Sequence, residues 1–137
     1  MWAGTISHND LTGLGRSVFM AVHQMEHELS GMDEKIAHGA GLSALWASWA
    51  RYVYENNVSR FAQYAVNVWN IEMDFEHPEK TALAGIKATE DYFKSLNMPT
   101  SLRELNVDPA SFEELAEKCT KFFVNFTCLN EIHTKYA

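Results

Sequence analysis

The spacing of apolar residues between Ser17 and Met32 constrains this chain more than any other feature. Val18, Val22, Met25, Leu29 and Met32 step by four, three, four and three. Such steps gather side chains on one side of a helix with about 3.6 residues per turn, whereas a strand shows a period of two. The same period predicts a helix from Gly41 to Glu55, with Leu42, Leu45, Trp46, Trp49 and Val53 on its stripe. Phe61, Ala65 and Val68, with Ala62 and Trp69 beside them, predict a helix from about Ser59 to Asn70; Leu83, Ile86, Phe93 and Leu96 mark the next. Asp108 followed by Pro109 reads as an N-cap and a first helical residue, continued by Phe112, Leu115, Ala116 and Cys119. Trp2 to Leu14 is expected to be helical, ending at the breaker Gly13-Leu14-Gly15, and the polar, proline-containing segments 71–78 and 97–107 are expected to be loops. The stretch "KFFVNFTC", 121–128, has β character, and its first half is read as the end of the preceding helix. The expectation is an all-α fold, a compact array of six or seven helices forming one domain over residues 1–137.

That pattern narrows function by exclusion. No strand leads into a Gly-x-Gly-x-x-Gly turn and no phosphate-binding loop occurs, so these residues cannot build a Rossmann-type nucleotide fold. A formal charge of −7, with eleven Lys and Arg scattered along the chain, argues against nucleic acid or an anionic membrane surface as a partner. Cys119 and Cys128 make no disulfide framework and suit a reduced compartment. The sequons at Asn57 and Asn125 are short enough to arise by chance. The first residues, "MWAGTISHNDLTGLGR", lack the pattern of a signal peptide, and no apolar run approaches the ~20 residues of a membrane span. A soluble, cytoplasmic protein is expected.

Chemistry concentrates in "VHQMEHELSGMDEKIAHGAG", residues 22–41. His23 and His27 are four apart and share a helix face at the border of the apolar stripe. His38 follows a polar turn, and a helical hairpin could bring it back over the pair. Converging neutral imidazoles suit a borderline divalent metal, although an i,i+4 histidine pair also arises easily on an exposed face. "HQMEH" also fits the inverted zinc-peptidase motif H-x-x-E-H, in which Glu26 would be the general base and a later carboxylate such as Glu104 the third ligand. That reading leaves His38 without a role and calls for a longer α/β scaffold. A helical module without catalysis is a third alternative. Trp46, Trp49 and Trp69 read as core, as do Met20, Met25 and Met32. Gly39 and Gly41 could serve close approach either of a metal or cofactor or of a neighbouring helix. His8, His77 and His133 read as surface residues.

Several stretches in register carry a more specific signal. "MWAGTISHNDLTGLGR", "HQMEHELSGMDEKIAHGAGLSALWASWARYVY", "FAQYAVNVWNIE" and "YFKSLNMPTSLRELNV" together resemble the C-terminal half of the iron-containing alcohol dehydrogenases, most closely the butanol dehydrogenase subgroup. The most specific pieces are H-x-x-x-H-E-L, at His23 to Leu29, and H-G-x-G-L, at His38 to Leu42. The resemblance implies the dehydroquinate synthase-like helical domain of a two-domain enzyme, facing an N-terminal NAD(P)-binding domain across the active-site cleft. It implies a divalent metal, Fe2+ first and Zn2+ second, held by one aspartate and three histidines. His23 and His38 match the last two of those ligands. His27 matches the histidine that lines the cleft near the nicotinamide, a binding and proton-relay position. The earlier Asp-x-x-x-His pair has no counterpart here, and Met1 falls where the family has an internal methionine. The chain is therefore expected to be a fragment, inactive alone, with an exposed cleft face through which it could self-associate as a homo-oligomer. The implied substrate is a small alcohol or aldehyde, polarised by the metal as hydride passes to or from the nicotinamide. The step from His23 to His38 is one residue longer than is usual in the family, within the turn "GMDEKIA", which could rotate one histidine against the other. Glu26 and Glu28 are expected to point away from the histidine face as solvated groups or supports behind it.

Overall fold

The computed structural model describes residues 1–13 and 20–121. Among the described residues it is all-α, with no strand: α1 (Trp2–His8), α2 (Ala21–Met32), α3 (His38–Val53), α4 (Val58–Trp69), α5 (Pro78–Ser95) and α6 (Phe112–Lys121), with short 3-10 turns at Tyr54–Asn57 and Pro109–Ser111. No described helix is long and apolar enough to cross a membrane. Val18, Gly15, Cys128, Asn125 and His133 lie outside the described residues, as does the stretch from 122 to 128 expected to leave the last helix.

The helix ends follow local chemistry. Asp108 accepts a hydrogen bond from the Ala110 amide and starts the turn that leads into α6, as its N-cap reading predicts. Asn57 accepts from the Arg60 amide and caps α4, which gives the sequon asparagine a structural role. Asn70 ends α4 in the left-handed region at φ 54°, a conformation asparagine tolerates better than most residues. Pro78 opens α5, where its missing N–H costs nothing. Helix α1 stops at His8, short of the expected Leu14, and buries no residue.

Two apolar clusters hold the helices together. Leu29 of α2, Ile36, Val107 and Leu115 of α6 form one, with Leu45, Leu102, Leu105 and Phe112 packed around it. Ala47 and Ala50 of α3 with Ile86 of α5 form the other, flanked by Trp46, Trp49, Tyr54 and Phe61. The expected stripe of α3 is displaced. Its buried face is Gly41, Ser43, Ala44, Ala47 and Ala50, while the large residues Leu42, Leu45, Trp46, Trp49 and Val53 are half-buried. Because α3 packs against both α2 and α5, small residues take the close contacts and bulky ones fill the flanks. On α4 the buried residues are Ala62 and Ala65, and Val68, expected inside, is 57% exposed. Met32, Leu83 and Leu96 are also exposed, whereas Met25 is buried as expected.

Polar ties reinforce these contacts. Tyr64 and Trp69 of α4 both reach Thr89 of α5, at 2.6 and 2.9 Å, and Thr89 donates back to the Gly85 carbonyl. Arg51 of α3 donates to Glu90 of α5. Burial alone would raise the Glu90 carboxyl, but the hydrogen bonds and charges of Lys94 and Arg51 outweigh it and hold the group below the usual carboxylate range. Cys119 is a buried free thiol, pushed up to about 11 by burial.

Candidate metal centre

The site forms where α2 and α3 meet as a hairpin. Only residues 33–37 separate them, and Asp33 and Ala37 are both extended, so the chain reverses quickly. Ile36, 8% exposed, inserts into the cluster around Leu29 and anchors the turn. Helix α3 begins at His38, three residues before the Gly41 expected from the pattern, which puts that imidazole at the mouth of the hairpin.

His23 and His38, fifteen residues apart in sequence, meet with their Nε2 atoms 3.1 Å apart. Their ring centroids are 4.7 Å apart, and those of His27 stand 5.8 Å from His23 and 5.6 Å from His38. One nitrogen from each of the three rings lies within 4.8 Å of the others. Two nitrogens bound to one metal at about 2.0–2.1 Å stand roughly 3–3.5 Å apart at tetrahedral or octahedral angles. The His23–His38 spacing falls in that window, and imidazole suits iron and zinc alike. The donor set therefore fits a divalent transition metal. The turn of residues 33–37 does not part the two histidines. Burial, followed by the charges of His38, His27 and His8, lowers the His23 pKa and favours the neutral imidazole a metal needs.

Behind His38 stands Glu26. Its side chain is fully buried, and its two oxygens accept from His38 Nδ1 and Ser30 Oγ. This corrects the expectation that Glu26 points away from the histidine face. The residue is three after His23, about 60° from it around the helix, so it shares the side that faces α3. Gly41 makes room for it: a Cβ there would lie 2.6 Å from Glu26 Cγ and 2.8 Å from Oε1. Close approach at Gly41 thus serves the neighbouring helix. Gly39 has only Met98 Cε at 3.9 Å.

The other candidates lie elsewhere. Glu104 accepts from the Thr100 amide at 3.1 Å and the Ser101 hydroxyl at 2.9 Å, and those bonds, the Thr100 amide first, keep its carboxyl below the usual range. It is occupied in capping its own loop and does not join His23 and His27, which removes the geometry a zinc peptidase requires. His77 caps α5, its amide donating to Asp74 and its ring 3.4 Å from Glu79. His8 is exposed at the end of α1.

Comparison with known proteins covers nearly the whole chain. Residues 2–134 match the description "Fe-containing alcohol dehydrogenase family, C-terminal". The chain belongs to that family. Among its relatives, NADH-dependent butanol dehydrogenase A of Clostridium acetobutylicum is 35% identical over 122 residues, 88% of this chain and 31% of the relative. The NADPH-dependent aldehyde reductase YqhD of Escherichia coli is 32% identical over 136 residues, 97% of this chain and 33% of the relative. The crystal structure of an NADH-dependent butanol dehydrogenase A from Thermotoga maritima superposes with a TM-score of 0.78 at 30% identity, covering 88% of this chain and 29% of that one. The chain thus spans about a third of the length of the relatives it matches.

Proposed function

We propose that these residues form the metal-binding wall of a metal-dependent, NAD(P)-linked alcohol dehydrogenase or aldehyde reductase acting on a small alcohol or aldehyde. The observation that carries the reading is the convergence of the His23 and His38 Nε2 atoms at 3.1 Å in a chain of this family. His23 and His38 would hold the metal, Fe2+ first and Zn2+ second, and a complete enzyme of the length of its relatives would supply further ligands and a nucleotide-binding domain. When bound, the metal supplies Lewis acidity toward the substrate oxygen. His27 is exposed and stands beside the pair, placed to accept the alcohol proton on an imidazole nitrogen and release it to solvent. Ile36 and the hairpin fix the two ligand rings on rigid elements, so orientation is built before substrate arrives. A cytoplasmic setting accords with a free, buried Cys119.

The test is a chimera joining the whole of the Clostridium acetobutylicum relative that precedes the matched region, nucleotide-binding domain and remaining metal ligands included, to residues 1–137. NAD(P)-dependent butanol oxidation by the iron-loaded chimera, lost in His23→Ala and His38→Ala and reduced with a flattened pH profile in His27→Ala, is the expected result. A folded, metal-loaded chimera that turns over no alcohol contradicts the assignment.

A further inference from the structure

We propose that Glu26 is the positioning residue of His38, fixing its proton on Nδ1 and so aiming the Nε2 lone pair at the metal position. This deepens the reading of His23 and His38 as ligands and rests on it. Three observations meet at this residue. First, a carboxylate with no exposed surface lies inside a helix pair, where an apolar side chain of similar volume would serve stability as well or better. Second, its oxygens are spent on two groups, Ser30 Oγ and His38 Nδ1, and the first orients it for the second. Third, α3 carries glycine at 41, and a Cβ there would collide with the Glu26 chain. The close approach of α3 thus leaves room for a carboxylate behind the histidine.

The proton positions follow from the chemistry of the groups. Of the pair, the imidazole N–H is the natural donor and the carboxylate oxygen the natural acceptor, which puts the shared proton on His38 Nδ1. In a neutral ring Nε2 is then bare, and the 3.1 Å contact with His23 is a donation from His23 Nε2–H to His38 Nε2. A neutral histidine free in water prefers the opposite tautomer, with its proton on Nε2. The carboxylate therefore reverses an intrinsic preference and leaves at the mouth of the hairpin the lone pair that a metal takes. Carboxylate–histidine–metal arrangements of this kind orient the ring and raise its basicity.

The experiment reads the 15N shifts of the His38 ring in the metal-free 137-residue chain, above the imidazole titration range, together with cobalt(II) affinity. Wild type is expected to show His38 as the Nδ1–H tautomer. Glu26→Leu, which keeps the volume and removes the acceptor, is expected to shift His38 to Nε2–H and weaken cobalt binding about 10–100-fold. Glu26→Gln, whose amide oxygen still accepts, is expected to retain the Nδ1–H signature. A wild-type His38 that is mainly Nε2–H overturns the proposal, and that spectrum decides even if Glu26→Leu does not fold. Unchanged tautomer and affinity in a folded Glu26→Leu overturn it too. Because the spectrum is taken without metal, it is separate from the ligand assignment, which fails instead if cobalt binds wild type without involving His23 and His38.

Discussion

At the scale of single residues, the site depends on Gly41 as much as on its histidines. Gly41→Ala places a methyl group 2.6 Å from Glu26 Cγ, so the Glu26 chain must move off His38. The expected outcome is a loss of about 1–3 kcal/mol in denaturant unfolding and weaker cobalt(II) binding, since overpacking strains the helix pair and frees the ring. Glu104→Ala should leave cobalt binding unchanged, because that carboxylate serves the loop at Thr100 and Ser101; a matching loss there would restore the peptidase geometry. The convergence of His23, His27 and His38 was legible because an i,i+4 pair shares one helix face and a short turn can return a third histidine over it. Glu26 was misplaced for a physical reason. Its position beside His27 suggested a different direction, whereas its spacing of three from His23 and four from Ser30 governs where it points. The pairing of that spacing with a glycine at 41 was the available signal.

At the scale of elements, two contacts set how α5 packs on its neighbours. A Cβ at Gly85 would lie 2.5 Å from the Ala65 Cβ and 2.9 Å from its Cα, which is backbone and cannot swing aside. Gly85→Ala is therefore expected to destabilise the fold by about 1–3 kcal/mol, despite the better helix propensity of alanine, as measured by thermal or denaturant unfolding. Glu90 ties α5 to Arg51 of α3 and to Lys94 of α5. Its folded carboxyl is depressed, so its contribution is fully present above the usual carboxylate range and is lost as pH falls through the folded value. Glu90→Gln should cost about 1 kcal/mol at neutral pH, and the gap from wild type should close in acid. A constant gap at every pH would contradict the ion-pair account. Helix positions were legible because the apolar period of α2, α4 and α5 is regular. The buried faces were less legible: Met32, Val68, Leu83 and Leu96 are exposed, and on α3 periodicity weighs Trp46 and Trp49 most heavily while close packing selects Gly41, Ala44, Ala47 and Ala50. The start of α3 was missed because Ala37 offers no side-chain cap and residues 38–41 carry no large apolar residue to extend the stripe.

At the scale of the whole molecule, the all-α class and the family were both readable in the sequence, because helical period and several motifs in register survive at about 30–35% identity. The fold brings two rings fifteen residues apart to the mouth of one hairpin and supports one of them with a buried carboxylate. The loop that closes the apolar cluster beneath, through Leu102, Leu105 and Val107, keeps that hairpin packed on α6. The central claim is that His23 and His38 share one metal ion. The most direct measurement is a cobalt(II) titration of the 137-residue chain, followed by its visible absorption, in wild type, His23→Ala, His38→Ala and His77→Ala. The account predicts one bound equivalent in wild type and in His77→Ala, with binding abolished or weakened at least about tenfold in each of the other two. Equal binding in all four proteins would contradict it.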